Sequence, residues 1–209
     1  MRGPLSHSLY LLFTPSLCVA DPWRTLEGAL DGGVDLVQWR VKHDDQDGAR
    51  RCVALCAARG VPVIVNDDVD LALRIGAAGA HVGQDDMDAR TARRRLGAEP
   101  WLGVSTHTAD QLEQAFEDGA DHVGFGPIHP TATKGYAEGQ PEGALRAAVT
   151  RADRRPVFAI GGIRTANLQR VLDEGCTRIA VSSAILAAAD PQRAAAELRQ
   201  ALLTARPAR

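Results

Sequence analysis

Gln38, Arg40 and Lys42 stand two residues apart in the run Gln38-Trp39-Arg40-Val41-Lys42, and side chains two apart on a β-strand share a face. One amide and two cations on one face make an anion site. The competing account is a solvated strand end, because Lys and Arg are common at surfaces. Two acidic clusters follow, Asn66-Asp67-Asp68 and His81-Val82-Gly83-Gln84-Asp85-Asp86. Asp67 and Asp86 offer hard oxygen ligands of the kind Mg²⁺ takes, one or two carboxylates completed by phosphate oxygens. Helix capping is the alternative use of such residues, and it is the one expected of Asp68 and Asp88. Carboxylates beside a cation pair match the charge mixture of a metal diphosphate.

Further along, Ser105 can offer a hydroxyl, but no base with nucleophile-elbow context accompanies it, so no hydrolase triad is read. The segment Gly124 to Gly135 sets Thr131, Thr133 and Lys134 among Gly and Pro, as expected of a loop that closes over phosphate. A plain surface loop would explain the glycines but not that polar set. His129 is assigned no catalytic role. Gly161-Gly162 and, twenty residues on, Ser182-Ser183 form a second candidate anion site, where glycine lets backbone N–H groups approach phosphate.

These groups need a scaffold that gathers them. Short apolar runs preceded by Gly (from Gly33, Gly79, Gly119 and Gly175) alternate with runs preceded by Pro (from Pro62, Pro100 and Pro156), after a first run at Leu9 to Phe13. Each Gly is expected to cap a helix and feed a strand, and Pro is tolerated at a strand's first residue. Between the runs lie stretches of helical period, such as Leu112, Ala115 and Phe116, then Leu168, Val171 and Leu172. Eight β/α units in 209 residues predict an α/β fold, a single-domain (β/α)8 TIM barrel with its chemistry at the C-terminal strand ends. An open doubly wound sheet is the alternative; it would need a Gly-rich turn after the first strand, where Thr14-Pro15-Ser16 stands. One domain over 1–209 is expected, with the tail 204–209 fraying.

Composition narrows the partners. With 24 basic and 26 acidic residues and a net charge of -2, no nucleic-acid or membrane footprint is expected. The apolar run near the N-terminus is too short to span a membrane and lacks a leader's pattern. The four cysteines form no CxxC pair, which suits a reduced cytoplasmic protein. Cys52 and Cys56, four apart, are expected to pack in the core. Small-molecule substrates are favoured, with a homo-oligomer left open.

Taken in order, the motifs QxRxK (Gln38 to Lys42), Asn66-Asp67, HxGQxD (His81 to Asp86), GVSxHT (Gly103 to Thr108), GPxxPTxTK (Gly126 to Lys134), IGGI (Ile160 to Ile163) and SSAI (Ser182 to Ile185) closely resemble the thiamine phosphate synthase family from the first strand to the eighth. Singly they are weak, and as an ordered set they are specific. The resemblance implies a transferase of thiamine biosynthesis that joins an aminopyrimidine diphosphate to a thiazole phosphate and releases pyrophosphate. By that resemblance Gln38, Arg40, Lys42, Asn66, Ser105 and Lys134 hold the pyrimidine diphosphate, and Asp67 and Asp86 hold Mg²⁺. Thr131, Thr133, Gly162, Ser182 and Ser183 hold the thiazole phosphate, while Trp39, Val41 and Ala132 are counted with the binding segments that contain them. Arg40, Lys42, Ser105 and Lys134 are the catalytic candidates. The chain departs from the family at Phe13-Thr14-Pro15, where an acidic residue is common, and at Trp39, His129 and the segment Gly135 to Gly143. A related thiazole tautomerase would carry His where Pro127 stands and would lack the paired metal acids; a non-catalytic thiamine phosphate-binding barrel is the third reading.

Overall fold

A computed structural model describes residues 4–41, 44–131 and 138–205. Eight strands, β1 (Leu9–Phe13), β2 (Leu36–Trp39), β3 (Val63–Asn66), β4 (Gly79–Val82), β5 (Trp101–Thr106), β6 (His122–Phe125), β7 (Val157–Ile160) and β8 (Ile179–Val181), alternate with helices. Every neighbouring pair is parallel and β8 pairs with β1, so the sheet closes into a barrel in sequence order. The helices are α1 (Pro22–Asp31), α2 (Gln46–Ala57), α3 (Val69–Ile75), α4 (Ala89–Leu96), α5 (Ala109–Glu117), α6 (Ala144–Arg151), α7 (Leu168–Asp173), α8 (Ser183–Leu186) and α9 (Pro191–Ala205). No helix among the described residues is long and apolar enough to cross a membrane.

The two-residue period of the strands divides the apolar residues into two cores. Tyr10, Leu12, Leu36, Ile64, Phe158 and Ala180 meet inside the barrel. Residues of the opposite parity, among them Leu9, Leu11, Phe13, Val37, Trp39, Val63 and Val65, pack outward against the helices. Burying one such Leu or Phe completely contributes about 1.5–3 kcal/mol. Cys52 and Cys56 are fully buried in the outer core, as their spacing on one helix face implies. The helical stripe of Leu112, Ala115 and Phe116 is likewise buried in α5.

Carboxylates tie the N-terminal ends of the strands. Asp35, just before β2, accepts hydrogen bonds from the backbone N–H groups of Ser8 (3.0 Å) and Leu9 (2.9 Å) and pairs with Arg199 of α9. Asp121, just before β6, accepts from the Leu102 N–H (2.8 Å) and pairs with Arg93 of α4. Each links strand to strand and strand to helix at the end of the barrel remote from the cavity.

The boundaries depart from the sequence expectation in an instructive way. Gly33, Gly119 and Gly175 do end helices at positive φ, but β2 and β8 begin three and four residues later than those glycines. The intervening residues form the return turn: Val34, Ala120 and Cys176 donate N–H bonds back to Ala29, Ala115 and Val171, the six-to-one bond of a Schellman motif. Gly79 is not a cap. Gly76, at φ 65, ends α3, whereas a Cβ on Gly79 would lie 1.9 Å from the Trp101 carbonyl oxygen, so Gly79 serves close strand contact. The C-terminal helix α9 continues through Thr204 to Ala205, and the Thr204 hydroxyl donates to the Gln200 and Ala201 carbonyls.

Candidate active site

At the C-terminal mouth of the barrel lies a cavity of about 330 Å³. Its floor is apolar, formed by Leu12, Phe158, Ile160 and Ala180, with Tyr10 below. Inward parity then brings Gln38 and Arg40 from β2 and its end, Asn66 from β3, His81 from β4 and Ser105 from β5 to one side. Thr131, Gly162, Ser182 and Ser183 line the other side. Eight of the residues singled out from the sequence therefore border one space. Lys42, Ala132, Thr133 and Lys134 lie outside the described residues.

Each polar group has a defined setting. Gln38 is 3% exposed and its Nε2 donates to Tyr10 Oη at 2.9 Å. Burial drives the Tyr10 phenol far above its usual range, the Gln38 bond opposing this, so the phenol stays neutral. Arg40 continues the ladder by donating its N–H to the Phe13 carbonyl (2.9 Å), and its guanidinium forms no ion pair with a described residue. A cation in a concave site without a protein carboxylate beside it is free to meet a ligand anion. Ser105 Oγ lies 3.0 Å from His81 Nε2, and Gln84 Nε2 donates to the Ser105 carbonyl (2.7 Å), fastening the loop after β4 onto β5.

The two candidate metal ligands stand exposed on neighbouring loops, beyond β3 and β4. Asp67 occupies left-handed backbone at φ 63, which is uncommon for a residue with a Cβ and is held here by tertiary bonds. Its N–H donates to the His81 carbonyl at 2.8 Å, and Asn66 Nδ2 donates to its carboxylate. Asp86 Oδ2 accepts from the Gly83 N–H at 2.8 Å. Among the described residues no group of three or more His, Cys, Asp or Glu side chains forms a closed metal cage. Neither Asp67 nor Asp86 is among the residues lining the cavity; a pair of exposed carboxylates suits only an ion that completes its shell with water or phosphate oxygens. Asp68 and Asp88 do the other job: each accepts from the N–H three residues on, Leu71 and Thr91, and caps α3 and α4.

On the opposite side, Gly162 sits at φ 61, and a Cβ there would come within 2.6 Å of the Pro130 carbonyl oxygen and 2.9 Å of His129 Cβ. The turn after β7 is thus pressed against the loop after β6. That loop is anchored where it returns: Gln140 donates its N–H to the Pro127 carbonyl and its Nε2 to the His107 carbonyl, and Arg170 binds the Gln140 carbonyl. The Ser182 hydroxyl donates to the Leu12 carbonyl at 3.0 Å.

Two side chains of the binding segments point elsewhere. Trp39 is 2% exposed in the outer core and stacks on Trp23 with ring centroids 6.2 Å apart and planes 9° apart; Arg51 covers Trp23 at 4.4 Å. Val41 packs against the same outer layer. Among the cavity-lining residues not assigned to the site from sequence are the polar or charged Tyr10, His81, Thr106, His107 and Arg164. Parity with Leu12 could have placed Tyr10 inward. Arg164, two residues beyond Gly162, could have been noticed as a cation beside the glycine pair.

Residues 9–185 match the family model described as thiamine monophosphate synthase. The chain is 47% identical over 189 residues to the thiamine-phosphate synthase of Geobacillus kaustophilus strain HTA426, covering 87% of this chain and 85% of that protein. It is 41% identical over 196 residues to that of Bacillus licheniformis, covering 90% and 87%. The structure of a thiamine phosphate pyrophosphorylase from Pyrococcus furiosus superposes with a TM-score of 0.84 at 29% identity, covering 95% of this chain and 96% of that one.

Proposed function

The chain belongs to the thiamine monophosphate synthase family, and from that premise we propose that it condenses 4-amino-2-methyl-5-pyrimidinylmethyl diphosphate with a thiazole phosphate, giving thiamine phosphate and pyrophosphate. The observation that carries this reading is the two-sided cavity. Gln38, Arg40, Asn66 and Ser105 face Thr131, Gly162, Ser182 and Ser183 across about 330 Å³, a volume at the lower end of small-molecule sites. One side suits a pyrimidine diphosphate and the other a second phosphate.

The reaction asks for positioning and charge. The bond from the methylene carbon to the diphosphate oxygen breaks, and its electron pair leaves with pyrophosphate. The aminopyrimidine ring spreads the positive charge left on that carbon, and the thiazole nitrogen donates its lone pair to form the new C–N bond. Arg40, which lines the cavity, is assigned to stabilise the leaving diphosphate, and Lys42 and Lys134 the same task; charge aimed at the developing anion is the largest catalytic term in such sites. Gln38, held by Tyr10, orients the pyrimidine, and Ser105 adds a hydroxyl beside it. Thr131, Thr133, Gly162, Ser182 and Ser183 fix the thiazole phosphate so that its nitrogen faces the carbon, which replaces a bimolecular encounter by a held geometry. No protein nucleophile is required.

Asp67 and Asp86 would hold Mg²⁺, which when bound supplies charge neutralisation to the diphosphate. Pro127, which borders the cavity, has no proton to transfer, and this argues against the tautomerase chemistry that needs His there. Incubating the purified protein with both phosphorylated substrates and Mg²⁺ tests the proposal. Thiamine phosphate and pyrophosphate should appear in equal amounts. Binding of thiamine phosphate without turnover, or product formation indifferent to a chelator, would contradict it.

A further inference from the structure

His122 projects from β6 into the barrel beneath the cavity and is fully buried. It makes edge contacts with Tyr10 (centroids 6.0 Å apart) and Phe158 (5.8 Å) and stands beside His81 at 5.7 Å. Neither of its ring nitrogens has a hydrogen-bond partner among the described residues. Burial, with smaller contributions from His81 and His7, holds its pKa well below the ordinary value, so the ring is neutral. A neutral imidazole still carries one N–H, and a buried donor left without an acceptor keeps the full desolvation penalty of that group.

Glycine at position 103 shows where that donor is aimed. A Cβ on Gly103 would lie 2.3 Å from His81 Nδ1 and 2.4 Å from His122 Nε2. Both nitrogens therefore converge on one spot that the missing side chain leaves open. Across the His81 ring, Nε2 lies 3.0 Å from Ser105 Oγ at the cavity wall. Ser105, His81 and His122 thus form a line running inward from the cavity.

We propose that His122 is a positioning residue: its Nε2–H is directed at His81 Nδ1, holds His81 with its proton on Nε2, and so makes His81 the donor to Ser105. With its acceptor capacity engaged by His81, the Ser105 hydroxyl turns its own proton to the cavity and reads an acceptor atom on the pyrimidine diphosphate. The opposite polarity would bury an N–H at His122 Nδ1 among Tyr10 and Phe158. The proposed polarity leaves only a lone pair there, and orphaned acceptors are better tolerated than orphaned donors. The proposal rests on the reading of this cavity as the pyrimidine diphosphate site.

Nitrogen-15 spectra of the histidine rings in the unliganded wild-type protein test the polarity without reference to turnover. His81 should be protonated on Nε2 and bare on Nδ1, and His122 should be protonated on Nε2. A proton on His81 Nδ1 overturns the proposal. In steady-state kinetics, His122→Phe should raise KM for the pyrimidine diphosphate about tenfold while leaving KM for the thiazole phosphate unchanged. His122→Gln, which keeps an N–H near the Nε2 position, should restore most of that loss. Equal effects of the two variants, or equal effects on both substrates, would mean that His122 only fills space. If His122→Phe does not fold, the spectra and the His122→Gln variant decide. Absence of wild-type turnover would refute the functional reading, and the spectra would still fix the proton's place.

Discussion

Arg40 lines the cavity with no carboxylate paired to it among the described residues, so under the proposed reading a diphosphate would have no internal partner to displace. Arg40→Ala should lower kcat/KM by about 100-fold or more, the loss typical of one donor aimed at a developing anion, with an unchanged far-ultraviolet circular dichroism spectrum. Loss of the spectrum instead would make Arg40 structural. Asp86→Asn should raise the Mg²⁺ concentration needed for half-maximal rate by tenfold or more, about 1.4 kcal/mol; Asp86 is exposed, so its fold should survive. His122 makes a pH prediction. Its folded pKa lies well below 6.5, so the unfolded chain takes up a proton first as pH falls. Stability should be flat with respect to this group above about 6.5 and decline below it, and His122→Phe should flatten that decline in urea melts taken across the acid range. That Gln38 and Arg40 share the cavity-facing side was legible because strand parity sends both to one face. The same parity sends Trp39 outward to stack on Trp23, and a five-residue motif read as one block obscures this. The left-handed backbone of Asp67 was not legible, because its N–H is fixed by the carbonyl of His81, fourteen residues away and on another strand.

At the scale of elements, strand closure and the carboxylate ties hold the cavity walls in register. Gly79→Ala would force a Cβ to within 1.9 Å of the Trp101 carbonyl, backbone that cannot rotate away, and should cost about 1–3 kcal/mol in chemical denaturation. Asp35→Ala removes the acceptor for the Ser8 and Leu9 N–H groups together with the Arg199 pair and should cost about 1–3 kcal/mol or more. Both positions lie at the strand ends remote from the cavity, so stability should fall while KM for either substrate stays unchanged in the fraction that folds. The alternation of apolar runs made all eight strands and the caps Asp68 and Asp88 legible, since parity and capping are local. The starts of β2 and β8 were not, because the return turn after each helix consumes residues that look like strand. Gly79 was misread for a related reason. A capping glycine and a glycine required by a neighbouring backbone are the same letter, and only the packed barrel separates them.

For the whole molecule, one barrel gathers groups from separate strand ends around a single space, and the proposed chemistry depends on that gathering. Crystals soaked with pyrophosphate, Mg²⁺ and thiamine phosphate provide the most direct test. Anion density should lie against Arg40 and Asn66, the metal between Asp67 and Asp86, and the thiazole phosphate beside Gly162 and Ser182. Pyrophosphate bound on another face of the barrel, with Arg40 and both aspartates untouched, would contradict the assignment.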